Sequence, residues 1–260
     1  YVTRHEVDLA ATAFRQVNAT YTRTYGTYEK NHWGVTILGG EVFVDNFIVR
    51  TRPADGTKAR QFNSIAKHAA LTFDKQAVVG TGASNTFKGF DQLISEGFGQ
   101  IQTNNAGTPA ALTQADLDAA IDLCRVKTPD IILGNRTHRR RITALGRALN
   151  YSQIDVGNDA FGRQVTMYNG LPIRILGDDA DGNLILPFTK GAGSEAYMYI
   201  LAFGEEENIY GLMGAGGMID VVDFGETEAA PGHMGRIEFY PGLVCANKYA
   251  LVRIDDVLAA

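Results

Sequence analysis

The sequence predicts a mixed α+β fold with one long helix at its centre. Three observations carry this. Apolar residues recur at helical spacing from Thr57 to Gly80. Runs rich in β-branched and aromatic residues lie on both sides of that segment. The later helices and strands alternate without the even spacing of a βαβ array. No internal repeat of fixed period and no low-complexity tract interrupts the pattern.

Residues 13–50 read as strand and hairpin. "ATYTRTYGTY" mixes Thr with Tyr, and "WGVTILGGEVFVDNFIV" is dense in strand formers. Gly26, Gly34 and the Gly39–Gly40 pair punctuate them. The stretch from Phe14 to Trp33 alternates polar and aromatic residues with few aliphatics. It lacks the apolar face to fold alone, so it is expected to be a long arm that packs on a neighbour, or a sheet edge. The helix "TKARQFNSIAKHAALTFDKQAVVG" follows Pro53, Asp55 and Gly56, residues that stop and start helices. Phe62, Ile65, Ala66, Ala69, Phe73 and Ala77 form its stripe, and Lys58, Lys67 and Lys75 lie off it. At about 1.5 Å per residue it makes a spine of roughly 35 Å, ended by Gly80.

Residues 81–112, including "KGFDQLI", read as loop and short strand. "LTQADLDAAIDLCRVKT" predicts a second helix, capped by Thr113 with Asp116 in the capping-box region. Its stripe is Leu117, Ala120, Ile121 and Cys124. "PDIILGN" is a short buried strand. An arginine-rich helix follows. Strands around turns come next in "VTMYNGLPIRILGD" and "DGNLILPF", then a strand in "EAYMYILAFG". "IYGLMGAGGMIDVVDFG" reads as two strands around a glycine turn. "RIEFYPGLVCANKYALVRIDDV" reads as a final strand pair broken near Asn247.

The 260 residues carry 24 Lys+Arg against 29 Asp+Glu, a net charge of -5. That balance argues against a chain whose main task is coating DNA, because phosphate contacts demand a basic excess. The composition is that of a globular protein large enough to bury a core without staples. Cys124 and Cys245 are far apart, which fits free thiols in a reducing cytoplasm. The longest apolar run, Ala196 to Phe203, is far short of a membrane span. No charged-then-apolar signal segment opens the chain. It starts at Tyr1, as it would if upstream residues were left out or removed by proteolysis.

Local motifs for chemistry are missing. Between Asn135 and Asn150, Arg136, Arg139, Arg140 and Arg141 crowd together. On a helical wheel Ile142, Leu145 and Leu149 share one face, while Arg136, Arg140 and Arg147 lie opposite. This predicts a solvated or ion-pairing face, with Glu205, Glu206 and Glu207 of a neighbouring subunit as acidic partners. DNA binding is the minority reading, since no aromatic platform accompanies the arginines. Asp178, Asp179 and Asp181 lack the twelfth-position glutamate of a calcium loop, where Lys190 stands, and read as a hairpin turn. "GLMGAGGM" leads into a strand, not a helix, so it is a turn and not a dinucleotide loop. The five histidines are scattered, and neither cysteine has a cysteine nearby. No phosphate loop and no nucleophile elbow occurs. The expectation is therefore no catalytic, cofactor or metal residues.

Taken together, the ordered stretches resemble the major capsid proteins of tailed bacteriophages, the Hong Kong 97-type capsid fold, over roughly Phe14 to Val257. "WGVTILGGEVFVDNFIV" resembles the return strand of that family's extended loop. The helix at 57–80, followed by "FKGFDQLI", resembles its spine helix and Phe-x-Gly-Leu-like segment, with Asp91–Gln92 as a departure. "PDIILGNRTHRRRITALGR" resembles the Asn-Arg-x-x-Arg-Arg stretch of its axial domain. "GLPIRILGD", "GLMGAGGMIDVVDFGE" and the final strands resemble its late strands in the same order.

The resemblance implies an N-terminal arm and extended β-hairpin loop in residues 1–50. It implies a peripheral domain with the spine helix in 51–112 and 236–260, and an axial domain in 113–235. The protein would be a non-enzymatic structural subunit that assembles with itself into hexamers and pentamers of an icosahedral shell enclosing double-stranded DNA. Portal, scaffolding or decoration proteins would be further partners. DNA would be touched by weak non-specific contact, and no membrane or cofactor would be involved. The shell would assemble in the host bacterial cytoplasm. Inter-subunit candidates are Tyr21, Tyr25, Tyr28, Lys30 and Trp33 in the arm, Arg136, Arg140 and Arg147 on the helix, and Glu205 and Glu206. Some members weld subunits through Lys–Asn isopeptide bonds, but Lys30 and Asn247 match no such motif, so that chemistry is not carried over. The Tyr1 start agrees with removal of an N-terminal segment by a maturation protease, and equally with upstream residues left out. An encapsulin shell of the same fold is the near alternative. A small-molecule enzyme built on the 178–183 loop or the 211–218 glycines is the remote one.

Overall fold

The structure, a computed structural model, describes residues 1–8, 10–51, 56–148, 154–158, 164–190, 194–214, 219–228 and 230–258. Strand β1 (Val2–Asp8) pairs antiparallel with β2 (Thr27–His32), from Val2 opposite His32 to Asp8 opposite Thr27. Between them residues 10–26 project without a regular element. Their tip turns where the Ala19 amide donates to the Gln16 carbonyl at 3.1 Å, with Asn18 in the left-handed region. The Thr24 hydroxyl donates to the Ala11 carbonyl at 2.8 Å and ties the two limbs together. The return strand is thus β2. The residue 33–49 segment, expected in that role, holds β3 (Leu38–Asp45), which pairs elsewhere.

β3 lies beside β12 (Gly232–Phe239), and β12 beside β11 (Asp220–Glu226), in an antiparallel three-stranded sheet. Helix α1 (Asn46–Thr51) follows β3 where a strand was expected. Asp45 starts it by accepting the Phe47 amide at 2.7 Å. The spine helix α2 (Thr57–Val79) lies over this sheet. Pro53 and Asp55, the expected boundary residues, lie outside the described residues. Gly56 enters the helix in the left-handed region, at φ 55°.

The stripe on α2 does what its spacing predicts, but over a narrow sheet. Phe62, Ile65, Ala69, Phe73 and Ala77 are half-buried, Ala66 is exposed, and only Val78 is fully buried. Phe73 stacks between Phe87 and Phe239, with ring centroids 5.7 and 5.6 Å away. Two of the off-stripe lysines act as ties: Lys58 reaches Asp223 at 2.5 Å and Lys75 reaches Asp179 at 2.7 Å. The tip of the Phe62 ring points at Gly235 of β12, where an added Cβ would sit 2.1 Å from its Cζ. Gly235→Val is therefore expected to lift the helix from the sheet and cost about 2 kcal/mol, read as a lower denaturant midpoint at unchanged slope.

A seven-stranded sheet forms the larger layer. Its order is β4 (Gln100–Thr103), β14 (Leu251–Leu258), β9 (Glu195–Leu201), β5 (Ile131–Gly134), β8 (Leu171–Ile175), β7 (Gln164–Tyr168) and β6 (Ile154–Asn158). β9, buried along six of its seven residues, is apolar on both faces after Glu195, while β14 beside it also carries Arg253, Asp255 and Asp256. Asn169 and Gly170, both at positive φ, make the tight β7–β8 turn. A separate ribbon pairs β10 (Ile209–Met213) with β13 (Pro241–Cys245).

Three helices pack on the large sheet. α3 (Phe90–Ser95) occupies the "KGFDQLI" segment read as loop and strand. Phe90, Leu93 and Ile94, at helical spacing, are all buried. α4 (Gln114–Asp122) is capped as expected, the Thr113 side chain accepting the Asp116 amide at 3.2 Å. It buries Leu117 and Ala120 and stops short of the expected end. α5 (Arg136–Ala148) is the arginine helix.

The final "strand pair" is three strands in three different sheets. β12 lies with the spine helix, β13 in the ribbon, and β14 in the large sheet between β4 and β9. The breaks fall at Pro241, which cannot donate to a continuing ladder, and at the Asn247 turn. β10 and β11 are likewise real strands, but they pair with β13 and β12 and not with each other. The intervening residues 215–218 of the glycine turn lie outside the described residues. "DGNLILPF" is an irregular loop with one bridge, Asp178 to Leu184.

Candidate functional site

The arm is the most exposed apolar surface. Phe14 is 108% exposed, Val17 89% and Tyr25 82%. Tyr21 and Tyr28 are exposed too, and the Arg15 guanidinium lies 5.3 Å over the Tyr21 ring. Lys30 sits on β2 opposite Arg4 and is exposed. Trp33 departs from this set. It is 7% exposed, its indole N–H donates to the Thr3 hydroxyl at 2.7 Å, and its ring meets Phe98 edge-on. These contacts anchor the base of the arm within its own chain.

On α5 the wheel reading matches the described residues. Ile142 is fully buried and Leu145 half-buried, while Leu149 lies outside the described residues. Arg136, Arg139, Arg140 and Arg147 are exposed. Arg136 stands 3.6 Å from Asp178, a loose surface pair worth little. Arg140 donates to the Thr137 hydroxyl at 3.2 Å. Arg141 turns inward and donates to the Leu112 carbonyl at 3.4 Å.

The helix start was not legible in the sequence. Asn135 accepts the His138 amide at 2.9 Å and donates to the Leu186 carbonyl at 3.1 Å. In return the Asn135 amide donates to His138 Nδ1 at 3.3 Å. This is a capping box in which histidine replaces the usual glutamate. His138 is buried against Phe188, and its Nε2 has no hydrogen-bond partner among the described residues. Burial pushes its pKa down to about 4, so it is neutral at pH 7.

Glu205 and Glu206 lie on the exposed turn after β9, with Glu206 in the left-handed region. β5 and β9 are antiparallel, with Ile131 opposite Leu201. The acidic turn and the start of α5 therefore lie at opposite ends of that strand pair. One chain does not bring its arginine face to its own Glu205 and Glu206.

Asp178, Asp179 and Asp181 form the expected turn. Asp179 accepts the amides of Asp181 at 3.0 Å and Asn183 at 2.8 Å. Its hydrogen bond from Lys75 holds the carboxyl below the usual range. Among the described residues no group of three or more His, Cys, Asp or Glu is arranged to hold a metal. Among the described residues no helix is long and apolar enough to cross a membrane.

A partly buried ion network is the feature the sequence reading missed. Asp91, noted only as a departure from a motif, accepts Arg253 at 2.8 Å, the Tyr199 hydroxyl at 2.9 Å and Lys190 at 3.0 Å. Arg253 also forks onto Asp255 at 2.5 and 2.8 Å, and its guanidinium lies 4.1 Å over the Tyr197 ring. These contacts join α3, β9, β14 and the Lys190 loop. Burial beside Asp91 raises the Tyr199 pKa well above the ordinary tyrosine value, so the hydroxyl stays a donor.

No family model matches the sequence, and no curated protein matches it. Solved structures do match the fold. An encapsulin complex from Synechococcus elongatus is similar over 99% of this chain and 83% of its own, at 15% identity and TM-score 0.69. The capsid of Cyanophage A-1(L) is similar over 99% of this chain and 88% of its own, at 15% identity and TM-score 0.64. The capsid of the native GTA particle covers 99% and 84%, at 12% identity and TM-score 0.65. The chain has the capsid fold of the Hong Kong 97 type, along nearly its whole length.

Proposed function

We propose that the chain is the major capsid protein of a tailed bacteriophage. It assembles into hexamers and pentamers of an icosahedral shell that encloses double-stranded DNA. The observation that carries this is the arm. In a chain of capsid fold, a projecting segment holds Phe14, Val17, Tyr21 and Tyr25 in water, where a lone subunit gains nothing from them. A neighbour would satisfy them. The arginine face and the acidic turn support the same reading. Complementary charges at opposite ends of a strand pair suit head-to-tail contacts, which close into rings. Arg136, Arg140 and Arg147 would face Glu205 and Glu206 of the next subunit around the axis. Portal, scaffolding or decoration proteins would complete the particle. The net charge of -5 suits an inner wall that holds DNA weakly.

Sedimentation velocity over a range of concentrations tests the reading. The expected result is species of five or six times 28.2 kDa, or closed shells. A single monomeric species throughout would count against it. Reversing Arg136 and Arg140 to Glu is expected to abolish rings while leaving the melting temperature unchanged, since both are exposed. Normal particles from that variant would remove the arginine face from the contact.

One observation favours a second reading, an encapsulin-type compartment: the similarity to an encapsulin at TM-score 0.69. The contents of particles from the native source decide between them. Double-stranded DNA supports the capsid, and a cargo protein supports the compartment.

A further inference from the structure

We infer that Glu195 and Asp256 share a proton in acid, and that its loss as pH rises loosens the grip of β14 on β9. The strand register brings the two together. Ile254 stands opposite Met198 and Val257 opposite Ala196, so Asp255 and Asp256 both face the single residue Tyr197 in a bulge. Asp256 takes the strained corner, at φ 61° in the left-handed region. Leu258, two residues on, pairs with Glu195 at the start of β9. There the carboxyls of Asp256 and Glu195 are in hydrogen-bond contact. Glu195 is 4% exposed and Asp256 is half-buried.

A hydrogen bond between two carboxyls needs one proton. Two carboxylates in contact repel, so the pair gives up that proton later than a lone aspartate would. Burial, and then the neighbouring Glu195 and Asp255 carboxylates, raise the Asp256 pKa above its ordinary value. Among the described residues the surrounding elements bring the pair no uncommitted cation. On β14, Arg253 is engaged by Asp255 and Asp91. Lys190, ahead of β9, reaches Asp91 of α3. On β9 the other titratable groups are Tyr197 and Tyr199, whose raised pKa values keep them uncharged. α4 adds only carboxylates, Asp116, Asp118 and Asp122. β4 and residues 104–110 have no titratable side chain. The Asn104 amide spends its two N–H groups on the backbone, donating to the carbonyls of Ala110 at 2.8 Å and Asp256 at 3.2 Å.

A raised folded pKa fixes the sign. The protonated pair adds stability below the ordinary aspartate value of 3.8, and that contribution is lost as pH rises through the folded value. This runs opposite to His138, whose contribution is lost in acid. The repulsion falls on the end of β14, where the Ala110 amide donates to the Asp256 carbonyl at 3.1 Å and the Leu258 amide to the Ala110 carbonyl at 2.9 Å. The pair lies within one chain, so it acts in either kind of shell.

Asp256→Asn tests this. Asparagine keeps the shape, tolerates the left-handed corner and donates to Glu195 at every pH. Urea denaturation of parent and variant is run at pH 7.5 and at pH 4.5. The variant midpoint is expected to lie about 0.3 M above that of the parent at pH 7.5, at equal slope, and close to it at pH 4.5. His138 and the other carboxylates titrate in both proteins and cancel in the difference. Glu195→Gln is expected to show the same trend with pH, on top of whatever constant offset its other contacts add. Hydrogen exchange of the 251–258 peptide, corrected for the intrinsic rate, is expected to be slower in Asp256→Asn than in the parent at pH 7.5. A gain of equal size at both pH values, or none at pH 7.5, overturns the shared proton. So does a Glu195→Gln profile parallel to that of the parent. Unchanged exchange in that peptide overturns the link to β14.

Discussion

Asp91→Ala is expected to destabilise the folded chain by about 3 kcal/mol, the low end for breaking a buried ion pair. Asp91 takes three donors, from Arg253, Tyr199 and Lys190. Removing it leaves the Arg253 guanidinium, only 10% exposed, with one carboxylate in place of two. Asp255 still holds it through two bonds, which keeps the cost from rising further. The buried Tyr199 hydroxyl is left without its acceptor, at about 1–3 kcal/mol for such a group alone. Urea denaturation gives the number. A shift below about 0.5 kcal/mol would show that the network adds little. Asp91→Asn keeps an acceptor for Tyr199 and should fall between parent and alanine variant. These four residues come from segments more than a hundred and fifty positions apart in the chain, Asp91 and Arg253 at the extremes. Losing the network should therefore loosen α3 and β14 together.

Acidification is expected to cost a comparable amount through one residue. His138 has a folded pKa of about 4, against 6.5 for an exposed imidazole. Between those values the unfolded chain binds a proton that the folded chain refuses. Stability therefore falls as pH drops from 6.5 towards 4, and this contribution is fully spent below that. At 1.36 kcal/mol per unit the loss approaches about 3 kcal/mol. The setting explains the refusal. The ring is buried against Phe188 and sits at the positive end of α5. Its Nδ1 already accepts from the Asn135 amide, a role only the neutral ring can fill. His138→Gln keeps a polar acceptor and cannot titrate. Denaturation of parent and variant at pH 7, 5.5 and 4.5 isolates the term, since the carboxylates titrate alike in both. Parallel pH profiles would contradict the assignment.

What the sequence disclosed and what it hid follow from the range of the interactions. The spine helix, the Thr113 cap and the arginine face depend on spacing within a few residues, and all three stand where the pattern put them. Phe14 to Trp33 announced an arm through a local lack of aliphatics. The burial of Trp33 was not legible because its partners, Thr3 and Phe98, are about 30 and 65 positions away, and nothing nearby reports them. The break between β12 and β13 is a single proline inside an apolar run, so three strands read as two. Asp91 looked like a flaw in a motif because Arg253, the residue that explains it, lies at the far end of the chain. The "KGFDQLI" segment is too short for periodicity to tell helix from strand. Its burial against the sheet decides the matter.

Negative-stain microscopy of the purified chain at high concentration tests the central claim most directly. The account predicts rings of five- or sixfold symmetry, or closed icosahedral shells. Isolated compact particles of one subunit each, in every field and at every concentration, would contradict it.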